Sequence, residues 1–204
     1  MQPYRLPPSK KTIVDKQLDE MLEAGQIAPS RSPWASPIVL SPKKDGSLRF
    51  YVDYRKLNAS TIRTAYPMPR VDDTLDSLRA AQYISTLDLR SGYWQVEIDP
   101  DSRDKTAFIT HRGLYEFLVM PFGLSNAPAT FQRLMDIVLA GIKWQSCLVY
   151  IDDIIVFSPT FEQHIHDLST VFDRLANADS STCRYANSSL TYSRVKIMDR
   201  EYRW

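Results

Sequence analysis

Two adjacent aspartates, Asp152 and Asp153, interrupt the otherwise apolar run CLVYIDDIIVF at 147–157. The flanking Val, Ile, Phe and Tyr residues predict a buried hairpin with the two carboxylates at its turn. Carrying an unpaired charge into such a place costs several kcal/mol, which a bound cation would offset. An exposed Asp-Asp turn on an edge hairpin would relieve the same cost without any function. A third carboxylate, Asp88, ends another apolar stretch, Ile84 to Leu89. Carboxylate oxygens at the ends of neighbouring strands are the ligands a hard divalent cation prefers. Two such ions, about 3.5–4 Å apart, stabilise the attacking and leaving oxygens of an in-line phosphoryl displacement. Taken singly, Asp88 fits a cap or a turn equally well.

The elements that must position these residues are legible in outline. Pro3, Pro7 and Pro8 favour an extended start, and Ser9 is a candidate cap for the helix that follows. Ile13, Val14, Leu18, Met21 and Leu22 share one helical face, and Gly25 closes it. Ile38–Leu40 and Leu48–Val52 read as hairpin strands around a Lys43–Ser47 tip that contains Asp-Gly. Residues 71–81 predict a short acidic helix. Tyr83–Leu89 and Tyr93–Ile98 predict two strands around a Ser91-Gly92 turn. Thr106–Thr110 and Leu114–Met120 predict a second hairpin, turned at Arg112-Gly113. Ala127–Ala140 predicts a helix with Pro128 in its first turn. Phe161–Ala178 predicts another, with Ile165, Leu168, Val171, Phe172 and Leu175 on one side. His164 and His166 are expected to be solvated helix residues. Beyond residue 178 the pattern weakens, and KIMDREYRW shows no clear period. Helices and antiparallel hairpins alternate, so the expected class is α+β.

Composition narrows the function classes. The 204 residues are 44% hydrophobic and 24% charged, a globular profile rather than a disordered or fibrous one. Net charge is +1, but residues 1–70 hold 12 Lys/Arg against 6 Asp/Glu, whereas residues 71–204 hold 13 against 18. A basic stretch beside an acidic one suits a phosphate-gripping element next to a metal-binding one, although scattered surface charge accounts for it too. Cys147 and Cys183 form no CxxC pair, so neither zinc nor a disulfide framework is indicated. No signal pattern and no membrane-spanning apolar run are visible, so the expectation is an intracellular protein, cytoplasmic or nuclear, without membrane contact.

The motifs together resemble the reverse transcriptase of gypsy-type LTR retrotransposons. The stretches that carry the likeness are YRLPP, GQIAPSRSPWASPIVL, KKDGSLRFYVDYRKLN, YPMPRVDD, STLDLRSGYWQVEI, KTAFITHRGLYEFLVMPFGLSNAPATFQRLM and LVYIDDIIVFS. They stand in family order from residue 3 to about 178, which makes the match specific. The resemblance implies a right-hand polymerase fold, an antiparallel sheet packed on helices. Residues 1–70 would be fingers, 71–178 palm with an inserted fingers segment, and 179–204 a degenerate or truncated tail, with the thumb absent. It implies RNA-directed DNA polymerase activity, dNTP substrates, a primed RNA or DNA template, and two Mg²⁺ ions with Mn²⁺ as a substitute. Association with other Pol or Gag products of a retroelement is a further implied partnership.

Carried over by motif, Asp88, Asp152 and Asp153 are the implied catalytic metal ligands. Tyr93 matches the aromatic gate that excludes a ribose 2′-hydroxyl. Lys43 and Arg49 match residues that grip the incoming triphosphate, and Phe122 the floor of the dNTP pocket. Arg55, Asn58, Gly123 and Tyr150 match template- and primer-contacting positions. The chain departs from the family pattern at Trp94, where His is usual, at Thr182 before Cys183, where Lys is usual, and after Tyr192, where the primer-grip sequence should follow. A catalytically silent retroelement remnant, or a nucleic-acid-binding module, is therefore the alternative reading. An RNA-directed RNA polymerase is a further rival, against which Tyr93 argues.

Overall fold

The computed structural model describes residues 7–42, 48–89, 91–178 and 192–199, the last as backbone only. Lys43, Arg90 and Cys183, and the side chains of Arg49, Val71 and Leu75, lie outside the described residues. In chain order the elements are α1 (Pro8–Glu23), β1 (Ile27–Pro29), β2 (Ser36–Pro42), β3 (Leu48–Val52), α2 (Arg55–Ser60), α3 (Val71–Ser77), β4 (Tyr83–Leu89), α4 (Pro100–Arg103), β5 (Phe108–Thr110), β6 (Gly113–Phe117), α5 (Ala127–Val138), β7 (Cys147–Tyr150), β8 (Asp153–Ser158), α6 (Phe161–Ala176) and β9 (Tyr192–Asp199). No helix among the described residues is long and apolar enough to cross a membrane.

The chain divides into two units, one of residues 1–63 and 96–127, the other of 64–95 and 128–204. In the first unit a five-stranded sheet runs in the order β1-β6-β5-β2-β3. The expected hairpin pairs Ile38 with Val52 and Leu40 with Phe50. The second pairs Phe108 with Tyr115 and Thr110 with Gly113. A parallel pairing of β2 with β5, Ser36 opposite Phe108, joins the two hairpins into one sheet. Val14, Leu18 and Met21 of α1 pack on Ile27, Ile38, Phe108 and Phe117. The helix begins at Pro8 with Pro7 as its N-cap and no side-chain cap, so Ser9 lies inside the first turn rather than capping it. Proline at the first helical position needs no capped N–H of its own, which removes the need for a serine there. Gly25 takes φ +64°, closing the helix as its sequence position suggests.

In the second unit a four-stranded sheet runs β7-β8-β4-β9. β7 and β8 form the hairpin around the Asp152 turn, with Tyr150 opposite Asp153. β4 pairs antiparallel with β8 on one side and with β9 on the other. Its alternation places Ser85, Leu87 and Leu89 on the buried face. Phe131, Leu134 and Met135 of α5, and Leu168, Val171 and Leu175 of α6, are buried with them.

Three expectations fail here for tertiary reasons. Tyr93–Ile98 is not a strand: Gly92–Gln95 forms a turn of 3₁₀ helix, with Trp94 N–H donating to Ser91 O at 2.8 Å. Val96–Ile98 then pair briefly with Leu118–Met120 instead, Met120 N–H donating to Val96 O at 2.7 Å and Ile98 N–H to Leu118 O at 2.9 Å. His164 is fully buried rather than solvated, while Ile165, assigned to the packed face, is 50% exposed. Buried polar partners on the sheet hold the histidine inward. The tail contributes β9, whose backbone pairs along β4 from Tyr192 to Asp199.

Candidate active site

In the second unit, strand register and turn geometry bring the three aspartates to one end of the sheet. Asp88, near the end of β4, stands directly opposite Asp153, the first residue of β8. A backbone hydrogen bond from Leu89 N–H to Asp152 O, 3.2 Å, ties the end of β4 to the turn. Asp88 and Asp153 are exposed, whereas Asp152 is partly buried. Asp152 Oδ1 is buried and has no hydrogen-bond partner among the described residues. Burial first, then the charges of Asp153 and Asp88, push the Asp152 carboxyl up to about 6. A carboxylate held among like charges, with one oxygen out of water and unpartnered, is a site that lacks positive charge. The donor set is all carboxylate oxygen, which fits a hard divalent cation. Among the described residues no three His, Cys, Asp or Glu side chains are gathered closely enough to hold a metal ion as they stand.

The turn that presents Asp152 is strained and buttressed. Ile151 takes φ +55°, a left-handed conformation that a β-branched residue rarely adopts. Its N–H donates to Oε1 of the fully buried Gln132 on α5 at 2.8 Å. Gln132 Nε2 in turn donates to Asp136 Oδ1 at 2.9 Å and to Val149 O at 3.3 Å. Gly92 lies under the site: a β-carbon there would stand 2.7 Å from Asp152 Oδ1 and 2.8 Å from Phe131 Cζ. The 3₁₀ turn that begins at Gly92 buries Tyr93, whose ring meets Phe131 edge-on with centroids 5.5 Å apart. Burial, then the nearby Asp152 charge, pushes the Tyr93 hydroxyl up to about 12, so it is a neutral hydroxyl. Tyr150, at the end of β7, is 47% exposed. Neither the close approach of Gly92 to the site nor the role of Gln132 is visible in the sequence, where Gly92 reads only as a turn residue. The Ser-Gly-Tyr triplet was the only available signal for the former, and a buried glutamine on an apolar helix face for the latter.

Four further expected residues, Arg55, Asn58, Phe122 and Gly123, lie in the first unit. Asn58 Nδ2 donates to Gly123 O and Asn58 Oδ1 accepts from Ser125 N–H, both at 2.8 Å. Its amide is thus engaged in holding the 123–125 loop. Gly123 takes φ +96°, and a β-carbon there would meet the ring of Tyr54 at 3.6 Å. Tyr54 is 2% exposed, and its hydroxyl donates to Thr106 O at 2.8 Å. Phe122, beside Gly123, is 41% exposed. Arg55 reaches out from α2 and makes a bidentate pair with Asp53 at 2.9 and 2.6 Å. That hydrogen bonding outweighs the desolvation of Asp53 and holds its carboxyl below the usual range.

With this geometry in hand, comparison with known proteins is informative. The chain is 46% identical over 181 residues to the retrovirus-related Pol polyprotein from transposon 297 of Drosophila melanogaster, covering 86% of this chain and 17% of that protein. It is 40% identical over 173 residues to the Pol polyprotein from transposon gypsy of the same organism, covering 82% and 17%. The Tf2-3 polyprotein of Schizosaccharomyces pombe is 31% identical over 203 residues, 98% of this chain and 15% of that protein. The chain therefore spans less than a fifth of the length of the curated relatives it matches. Among solved structures, native prototype foamy virus protease-reverse transcriptase superimposes with TM-score 0.78 at 27% identity, over 95% of this chain and 24% of that one. The foamy viral enzyme in complex with an RNA/DNA hybrid does so with TM-score 0.79 at 29% identity, over 87% and 24%. Reverse transcriptases work with divalent metal ions. The family model described as reverse transcriptase (RNA-dependent DNA polymerase) matches residues 41–182, and with most of its length inside that match the chain belongs to the reverse transcriptase family.

Proposed function

We propose that this chain forms the fingers and palm of an RNA-directed DNA polymerase and adds dNTPs to a primer 3′-hydroxyl on an RNA or DNA template. The first unit corresponds to fingers and the second to palm. One observation carries the reading: Asp88 stands opposite Asp153 at the end of the β4–β8 pair, beside the Asp152 turn, with Asp152 Oδ1 buried and lacking a donor among the described residues. Asp88, Asp152 and Asp153 would hold two divalent cations, Mg²⁺ or its substitute Mn²⁺. When bound, the pair supplies positive charge to the attacking hydroxyl and the departing pyrophosphate.

The remaining roles belong to the chain's own residues. The Tyr93 ring, packed edge-on against Phe131, would fill the space of a ribose 2′-hydroxyl and so select dNTPs. Lys43 and Arg49 grip the triphosphate, an anion suited to a lysine point charge and an arginine fork. Asn58 and Tyr54 hold the Phe122-Gly123 loop that forms the floor for the nascent base pair. Arg55, exposed on α2, and Tyr150, exposed at the turn, face the template and primer. Nucleic-acid binding is supported by the structural relatives, which include foamy viral enzymes in complex with an RNA/DNA hybrid and with double-stranded DNA.

The test is dTTP incorporation on poly(rA)/oligo(dT) with Mg²⁺, comparing the chain with Asp152→Asn. Incorporation that disappears in the variant is the expected result. A folded chain that binds the hybrid but incorporates nothing overturns the enzyme reading and leaves a nucleic-acid-binding module.

A further inference from the structure

The strained residue at the centre of the site is held by a side chain whose own orientation needs an explanation. Ile151 occupies the left-handed region at φ +55°, which a β-branched residue rarely adopts and which is strained. What offsets this locally is the 2.8 Å bond from Ile151 N–H to Gln132 Oε1. A glutamine amide has nearly the same shape either way round, so sterics alone do not decide which end faces Ile151. One orientation presents an acceptor to the N–H. The other sets donor against donor and leaves the N–H without a partner.

We propose that Asp136 is a positioning residue for the Asp152–Asp153 turn, acting through the Gln132 amide. Asp136 lies one helical turn after Gln132 on α5, and its Oδ1 is 2.9 Å from Gln132 Nε2. A carboxylate oxygen here offers only acceptor lone pairs, so the amide nitrogen must face it and the amide oxygen must face Ile151. Val149 O, 3.3 Å from the same Nε2, adds a second acceptor on that side. Asp136 is itself fixed from two directions. Lys143 Nζ lies 2.5 Å from Oδ1, and Tyr66 donates its hydroxyl to Oδ2 at 2.7 Å. A continuous chain of hydrogen bonds therefore runs from Tyr66 through Asp136 and Gln132 to the backbone of the turn. Asp136 touches none of the reacting groups. Its effect on catalysis rests on the polymerase reading given above, whereas its effect on the turn does not.

The experiment uses the 204-residue chain and measures amide hydrogen exchange by NMR, together with primer extension. Asp136→Leu keeps the side-chain bulk and removes the acceptor. It is expected to raise exchange at Ile151 by roughly tenfold or more while the amides of β4 keep their protection. Asp136→Asn can still turn its oxygen toward Gln132 and Lys143 and is expected to restore protection at Ile151. In primer extension the leucine variant should lose kcat with KM for the primer–template unchanged, and the asparagine variant should recover it. If the leucine variant does not fold, Tyr66→Phe, which deletes one donor to Asp136, is expected to raise Ile151 exchange by a smaller factor. Unchanged exchange at Ile151 in a folded Asp136→Leu or in Tyr66→Phe overturns the proposal. Absence of incorporation by the wild-type chain would refute the polymerase reading alone, because the exchange measurement needs no activity.

Discussion

Gly92 and Asp152 approach so closely that a β-carbon on the glycine would lie 2.7 Å from Asp152 Oδ1. The same carbon would press on Phe131 Cζ at 2.8 Å, so neither neighbour leaves room for a methyl group. Gly92→Ala must therefore displace the carboxylate, the ring, or both. Overpacking of this kind costs about 1–3 kcal/mol. The expected outcome is a folded chain with a modestly lower Tm and at least a roughly tenfold loss of primer extension, since small misplacements of reacting groups are amplified in rate. Wild-type activity in the alanine variant would show that the approach is incidental.

Asp152 carries a linkage that can be read without any substrate. Its carboxyl is pushed up to about 6, above the 3.8 of an unperturbed aspartate, by burial and then by Asp153 and Asp88. Between those values the folded chain holds a proton that the unfolded chain has released. Its stabilising contribution is present at low pH and is lost as pH rises through about 6. Metal-free Asp152→Asn should consequently melt above the wild type at neutral pH, and the gap should close in acid. Mg²⁺ should raise the melting temperature of the wild type more than that of the variant, because a ligand stabilises only the state that binds it. Calorimetry across pH, with and without Mg²⁺, checks both points.

Tyr93 is expected to control sugar selection. Tyr93→Val shortens the side chain that packs on Phe131, and Tyr93→Phe retains the ring. The valine variant should admit ribonucleotides, lowering discrimination by roughly tenfold or more, whereas the phenylalanine variant should behave as wild type. Competitive incorporation of dTTP and UTP measures the ratio. Unchanged selectivity in the valine variant would remove Tyr93 from the role of gate.

His164 ties α6 to the sheet through a directional chain of hydrogen bonds. Ser158 donates to Asp167 Oδ2 at 2.6 Å, so its oxygen is left to accept from His164 Nδ1 at 3.2 Å. His164 Nε2 then accepts from the Ser85 hydroxyl at 2.8 Å, which requires a neutral ring. Burial lowers the His164 pKa, with Asp167 opposing. A group whose folded value is depressed stabilises the fold above its unfolded value, near 6.5, and that contribution is lost as pH falls through the folded value. His164→Gln should cost about 1–2 kcal/mol at neutral pH and flatten the acid limb of stability against pH. Thermal melts between neutral and mildly acid pH read both effects. A parallel downward shift with no change in the acid limb would refute the neutral-ring assignment.

The local elements were legible because their causes are local. The apolar face of α1, the Asp-Gly signal between β2 and β3, Pro128 in the first turn of α5, and the β-branched run around Asp152-Asp153 each act over a few residues. The three aspartates could be named from strand ends and family motifs, since chemistry selects the residue type before any packing does. What the sequence could not express was which surfaces would meet. Gly92 sits in a 3₁₀ turn, and the residues just after it pair with Leu118–Met120 rather than with β4, a pairing that no local pattern announces. His164 is buried because Ser85 and Ser158 wait for it on the sheet, and the helical period alone had placed Ile165 there instead. Gln132 faces Ile151, and Asp136 orients it, only once α5 lies across the β7–β8 turn. The sequence by itself determined the fold class and the identity of the acidic residues, which depend on local pattern and on chemistry. Tertiary structure alone decided how close those carboxylates stand, which of them is buried, and what holds their turn in a left-handed conformation, because burial and hydrogen-bond satisfaction depend on contacts between distant segments.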